Sequence, residues 1–197
     1  MTRFAVLASV AVLSLAAAAC KEPDLTASQN EPQAAELNTP DDPGVANMAA
    51  PAGASVAAPQ FAAQAAGSDL FEIASGKLAQ QKGESAGVKR FGEQLVEEHT
   101  KSSNEMKAAL AGVQPAIALP SAPPAELQAR LQALQGLSGK QFDQRFIADQ
   151  IASHQQSLAA VNGYIASGDN PALRDWARKA TGVIQKHLQQ LNRMSQR

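Results

Sequence analysis

Cysteine occurs once in the chain, at Cys20, so no internal disulfide can form and no cysteine pair is available to hold a metal or a redox couple. Glycine-rich phosphate loops and a serine with triad partners are missing too, which removes the common signatures of nucleotide binding and nucleophilic catalysis. Runs of β-branched and aromatic residues are scarce, so no strand competes with a helical reading. Beyond residue 19 no segment is apolar enough to span a bilayer. A strong charge of one sign is also absent. Residues 61–197 hold fifteen Lys and Arg against twelve Asp and Glu, a surplus too weak to imply nucleic acid.

What is present begins at the N-terminus. Met1 to Ala19 carries one basic residue, Arg3, and then runs from Phe4 to Ala19 without a charge. A basic start, a short apolar run and a small-residue exit make a secretory signal, and about 16 apolar residues fall short of the roughly 20 that a membrane span needs. Ala17-Ala18-Ala19-Cys20 resembles a lipobox, whose cysteine is acylated and becomes the mature N-terminus, although Leu is usual where Ala17 stands. Ordinary cleavage after Ala-x-Ala, leaving a free thiol, is the alternative. Cys20 is therefore the expected lipidation site, and the expected location is the cell envelope, lipid-anchored to the outer membrane and facing the periplasm. The membrane, reached through that anchor, is the one partner expected.

Residues 21–60 hold one Lys and six acidic residues amid Ala, Pro, Asn and Gln, with few large apolar side chains. Such a segment cannot bury enough surface to offset its ordering entropy, so residues 20–60 are expected to be a disordered tether. Some 40 flexible residues have a root-mean-square span of roughly 35 Å.

From residue 61 to 197 the composition is helical, and the fold class expected is all-α: an antiparallel four-helix bundle with a short extra helix before the third long one. The first helix is predicted over Phe61–Lys82 with Gly83 as its C-terminal cap. The second follows Ser85 as N-cap, with Val88, Phe91, Leu95, Val96, Met106 and Leu110 on one stripe. Four prolines between Pro115 and Pro124 make a loop, and Leu127, Leu131 and Leu134 suggest the short helix. Ser138 to Gln141 fits a capping box, with Leu137 and Phe142 as its hydrophobic staple. The third long helix runs from there to about Ala166. The fourth starts at Pro171, with Asp169 or Asn170 as cap, and carries Trp176, Val183, Ile184, Leu188, Leu191 and Met194.

The three histidines, His99, His154 and His187, each lie on the inward stripe of a different long helix, and the first helix offers Glu72 with Asp69 and small residues on its own stripe. Glu72 precedes the first turn by twelve residues and His99 follows it by fifteen; His154 precedes the last turn by fifteen and His187 follows it by eighteen. At 1.5 Å per residue each pair is level to within roughly one helical turn, so one polar layer across four helices is permitted. Three imidazoles and a carboxylate suit a transition-metal ion such as zinc, copper, iron or nickel. The alternative is a buried hydrogen-bonded layer that fixes register and binds nothing. Met106 and Met194 each follow a histidine by seven residues, which fits core filling better than copper ligation. Glu97 and Glu98 beside Lys101 read as a solvated face with one i to i+4 pair.

Phe71-Glu72-Ile73-Ala74-Ser75-Gly76-Lys77-Leu78-Ala79, Val88-Lys89-Arg90-Phe91 and Val96-Glu97-Glu98-His99-Thr100 form an ordered set. With Phe142-Asp143, Gln150, His154 and His187-Leu188, this set resembles the bacterial envelope family of unknown function numbered 4142. The resemblance covers about Phe61 to Met194. It implies a ferritin-like four-helix bundle, exported and often attached to the outer membrane, with no established activity. Glu72, His99, His154 and His187 fall at positions matching that family's polar residues. Ferritin-like di-iron proteins use Glu-x-x-His, whereas Val96 and Ile151 stand three residues before His99 and His154 here, which speaks against oxidase or ferroxidase chemistry. Two functions stay open: a metal-binding envelope lipoprotein, or a structural or stress-related interaction module whose histidines only hydrogen-bond. No pair of nucleophile and general base points to an enzyme.

Overall fold

In the computed structural model, residues 55–196 are described; the expected signal peptide, Cys20 and the tether up to residue 54 lie outside them. Five helices follow in order: α1 (Ala58–Lys82), α2 (Ala86–Leu110), α3 (Ala125–Gln135), α4 (Gly139–Ser167) and α5 (Pro171–Ser195). No strand forms among the described residues, only two isolated bridges that join Val56 to Gly168 and Gly83 to Gly139. None of these helices is long and apolar enough to cross a membrane.

Two starts follow the local chemistry read from the sequence. The Ser85 side chain accepts from the backbone N–H of Val88, and Asn170 accepts from Leu173 ahead of Pro171 in the first turn of α5. Three details differ. Helix α1 begins at Ala58, three residues before Phe61, because Pro59 suits a first turn and Asp169 accepts from the Ala58 N–H. Ser138 precedes α4 but makes no capping hydrogen bond. Instead the Asp143 carboxylate, one turn into α4, accepts from the N–H groups of Glu84 and Ser85 at 2.9 Å each, so a long-range contact fixes that end. Gly83 caps α1 in extended rather than left-handed geometry (φ −60°), and it is glycine for space, since a Cβ would stand 2.9 Å from Val88 Cγ1.

Side-chain pairs give the directions of the helices. Along α1 and α4, Ser68 meets Ser157, Glu72 meets Ser153 and Ser75 meets Gln150, so the two run antiparallel. Along α2 and α5, Gln94 meets Gln190, Glu98 meets His187 and Trp176 donates to the Ser102 carbonyl, again antiparallel. Every neighbouring pair of long helices therefore opposes its partner, while α2 and α4 point the same way. The connection from residue 111 to residue 138, which contains α3, has the length to return the chain to the starting end.

This topology also separates the two methionines. Because α2 and α5 are antiparallel, Met106 and Met194 sit at opposite ends of the bundle, each in apolar surroundings. Two apolar clusters occupy those ends: Phe61, Met106, Tyr164, Leu173 and Trp176 in one, and Phe91, Leu95, Phe142, Phe146 and Leu191 in the other. Phe61 stacks on Tyr164 with centroids 3.9 Å apart. Val183, expected on the inward stripe, is 36% exposed, so the buried stripe of α5 passes through Ile184, His187 and Leu191.

Between the clusters lies a buried polar layer of Asp69, Glu72, Ser75, His99, Gln150, Ser153, His154 and His187. Its width is set partly by a close crossing of α1 and α2. A Cβ on Gly76 would fall 2.7 Å from the Gly92 carbonyl oxygen, and one on Gly92 would fall 2.6 Å from that of Gly76. Only two glycines facing each other permit this approach, and it brings Asp69 onto His99 two turns away.

Candidate functional site

The three expected histidines meet: all are buried, and one ring nitrogen of each lies within 4.8 Å of the others. Their centroids are 5.1 to 5.8 Å apart. Each ring uses one nitrogen on a fixed acceptor. His99 Nδ1 lies 2.7 Å from the Asp69 carboxylate, His154 Nδ1 is 2.9 Å from the Gln150 carbonyl oxygen, and His187 Nε2 is 2.9 Å from the Glu98 carboxylate. Carbonyl and carboxylate oxygens only accept, so these three nitrogens carry hydrogens. That leaves His99 Nε2, His154 Nε2 and His187 Nδ1. The last two face each other at 3.0 Å, and His99 Nε2 is buried without a partner.

Glu72 stands beside this group and outside it. It is 1% exposed, Oε1 accepts from the Ser153 hydroxyl at 2.6 Å and lies 3.7 Å from His154 Nδ1, the nitrogen already given to Gln150. Its Oε2 is buried and unpartnered. Three contributors were not picked out from the sequence. Asp69 was visible on the same stripe as Glu72, one turn earlier, and that spacing was the available signal. Glu98, which beside Glu97 and Lys101 reads as part of a solvated face, bonds both His187 and Lys186, and Lys101 pairs with Glu105. The Gln150 carbonyl is backbone, and no residue type announces it.

Burial dominates the protonation of the layer. It pushes the Glu72 carboxyl up to about 7 against the pull of His99, and it pushes His154 down to about 3, with the positive charge of His99 adding to the effect. His187 also falls to about 3, through burial and then its two histidine neighbours. His99 moves the other way: burial opposes its charge, but the hydrogen bond and charge of Asp69 prevail and raise it above its ordinary value. For Glu98, burial is outweighed by the Lys186 hydrogen bond and His187, which hold it below the usual carboxylate range.

A stability prediction follows by linkage. Between pH 6.5 and about 3 the unfolded chain binds protons on His154 and His187 that the folded chain refuses, so stability falls as pH drops through that window. Glu72 opposes this between about 7 and 4.5, where the folded form holds a proton the unfolded form lacks; below 4.5 that gain is complete. The melting temperature of metal-free protein is expected to decline from pH 6 to 4.5 and more steeply below, and replacing both histidines with glutamine should flatten the decline. Equal slopes in parent and variant would refute the assignment.

The family model described as "Domain of unknown function (DUF4142)" matches residues 43–194. The chain belongs to that family. No curated protein and no solved structure matches it. The DUF4142 match reaches from upstream of α1 to the last turn of α5, so it takes in both hairpins and all three histidines.

Proposed function

We propose that this DUF4142 protein is an exported, lipid-anchored envelope protein whose helical bundle binds one divalent transition-metal ion through His99, His154 and His187. The observation that carries the proposal is a proton count. The path from the Gln150 carbonyl through His154 and His187 to the Glu98 carboxylate has acceptors at both ends and needs three N–H groups on two rings. Two neutral imidazoles supply two. With His154 Nδ1 and His187 Nε2 bound outward, the lone pairs of His154 Nε2 and His187 Nδ1 oppose each other, and the unpartnered His99 Nε2 joins them once it gives up its proton. A cation at their centre relieves all three.

The outward partners Asp69, Glu98 and the Gln150 carbonyl are the type of support that fixes tautomer and ring orientation around a metal. Three nitrogen donors with no thiolate suit zinc, copper or nickel, and three protein ligands leave a coordination position for water. The second reading, a hydrogen-bonded layer without metal, draws on the 3.0 Å contact between His154 and His187, which one imidazolium would satisfy. It leaves His99 Nε2 without a partner.

Elemental analysis of untagged protein, purified and then reconstituted with zinc or copper and dialysed, separates the two. One metal ion per chain is expected, and none in His99→Ala or His187→Ala. Metal at trace level in the folded parent protein overturns the proposal. The anchor is tested apart from the metal: Cys20→Ser should move the protein from the membrane to the soluble fraction, and continued partition with membranes would refute it.

A further inference from the structure

Each of the three rings is backed by an oxygen, and the backings differ in their access to water. Gln150, whose carbonyl backs His154, is 0% exposed, and the Asp69 side chain is 6% exposed, whereas that of Glu98 is 26% exposed. Glu98 accepts from His187 at 2.9 Å through Oε2, and from Lys186 at 2.9 Å and Gln94 at 3.1 Å through Oε1. A cavity of about 540 Å³ reaches the surface on this side of the bundle. Its wall runs from His99 and His154 inside to the exposed Glu97, Lys101 and Lys186 outside, and Val183 lies on it one turn of α5 before His187. Elsewhere the layer is shut: apolar clusters close both ends, and the close crossing at Gly76 and Gly92 seals α1 against α2. His99 Nε2 is buried too, so part of the wall has to move before an ion can meet the rings.

We propose that a divalent metal ion enters and leaves through the seam between α2 and α5, with Glu98 as the carboxylate that takes it from the cavity and Lys186 as the gate. The inference rests on the proposed metal site and concerns access to it. A cation that crossed an apolar cluster would give up its water for no ligand, which is costly, so the route has to follow oxygen. Two carboxylates bond a ring and border the cavity. The oxygens of Asp69 are held by His99 and Ser103 away from water, which leaves Glu98. Lys186 competes for that carboxylate, and its side chain is 56% exposed, so it can swing aside on its flexible stem without moving a helix. Until it does, its ammonium is a like charge at the mouth, one that slows an arriving cation most at low salt.

Zinc uptake and release by the full-length protein, followed by stopped flow with a zinc-responsive dye, test the route. Val183→Phe adds bulk at the seam on an exposed residue and leaves every ring and its backing in place. Both rates are expected to fall by about fivefold or more with the dissociation constant unchanged, because a plug raises the same barrier in both directions. Gln185→Phe, exposed on α5 and off the cavity wall, should change neither rate. Lys186→Met should speed uptake by about threefold or more at low salt, and the gain should shrink as salt rises. Unchanged rates or a weakened affinity in Val183→Phe, equal slowing in Gln185→Phe, or uptake in Lys186→Met no faster than in the parent overturns the proposal. A parent protein that binds no zinc removes the metal site and the route together, whereas zinc bound at rates that Val183→Phe leaves untouched removes the route alone.

Discussion

Zinc at a hundredfold excess over its dissociation constant is expected to raise the melting temperature of the chain by about 8 °C. A ligand that binds only the folded form adds about 2.7 kcal/mol at that excess. For a domain near 150 residues, each kcal/mol is worth roughly 2–4 °C. The gain has a structural origin in the rings themselves. His154 and His187 are already neutral and held by Gln150 and Glu98, so neither must be reoriented or deprotonated to bind. His99 is the exception. Its raised pKa means that zinc must displace a proton there, so the melting shift should shrink as pH falls through the His99 titration. In His187→Ala the shift should vanish at every pH. A shift retained in that variant, or none in the parent, would show that the three rings are not the ligands.

Substitution of Gly92 by leucine should be the most damaging single change in the bundle, with a loss of about 3 kcal/mol or more and a drop of roughly 10 °C in melting temperature. The cost arises because the Cβ of residue 92 would meet backbone, the Gly76 carbonyl oxygen at 2.6 Å, and the Ala79 methyl at 2.8 Å. A flexible side chain could swing aside, whereas a helix backbone has to move as a unit. Moving α1 away from α2 separates Asp69 from His99, so a variant that still folds should also bind zinc less tightly. The comparison is Gly163→Leu, where a Cβ meets nothing within 4 Å and the higher helix propensity of leucine should leave stability unchanged or raise it by up to about 1 kcal/mol. Thermal melts of the two variants side by side check this, and similar losses would remove the helix crossing as the cause.

Much of this was legible in the residues because helical periodicity is a local signal. Ser85, Asn170 and Pro171 act at the ends where they were expected, and the three histidines fall on inward faces because apolar residues three and four positions away fix those faces. Heights along each hairpin could be read from the short turns, since rise per residue is constant. What stayed hidden depends on partners far along the chain. Asp143 ties α4 to the turn after α1, and nothing in the Ser138 region reveals that. Glu98 looks solvated beside Glu97, and only the position of α5 gives it His187 to hold. The direction of α4 relative to α2 was equally out of reach, because the connection of residues 111–138 is long enough to allow either. For Glu72, sequence spacing gives height but not angle, so it could be placed in the layer without showing that it lies beside the histidine group.

That long connection has a further consequence for how the site comes into being. The α1–α2 hairpin brings only His99, and the α4–α5 hairpin brings His154 and His187. Each hairpin is closed by a short turn and makes contacts between near neighbours in the chain, which form early and fast, while joining the two requires closure of a much larger loop. The complete donor set therefore exists only after that last docking step. Under the proposed function, metal capture would read out finished assembly: a chain caught with its hairpins formed but apart would carry every histidine and still lack the site.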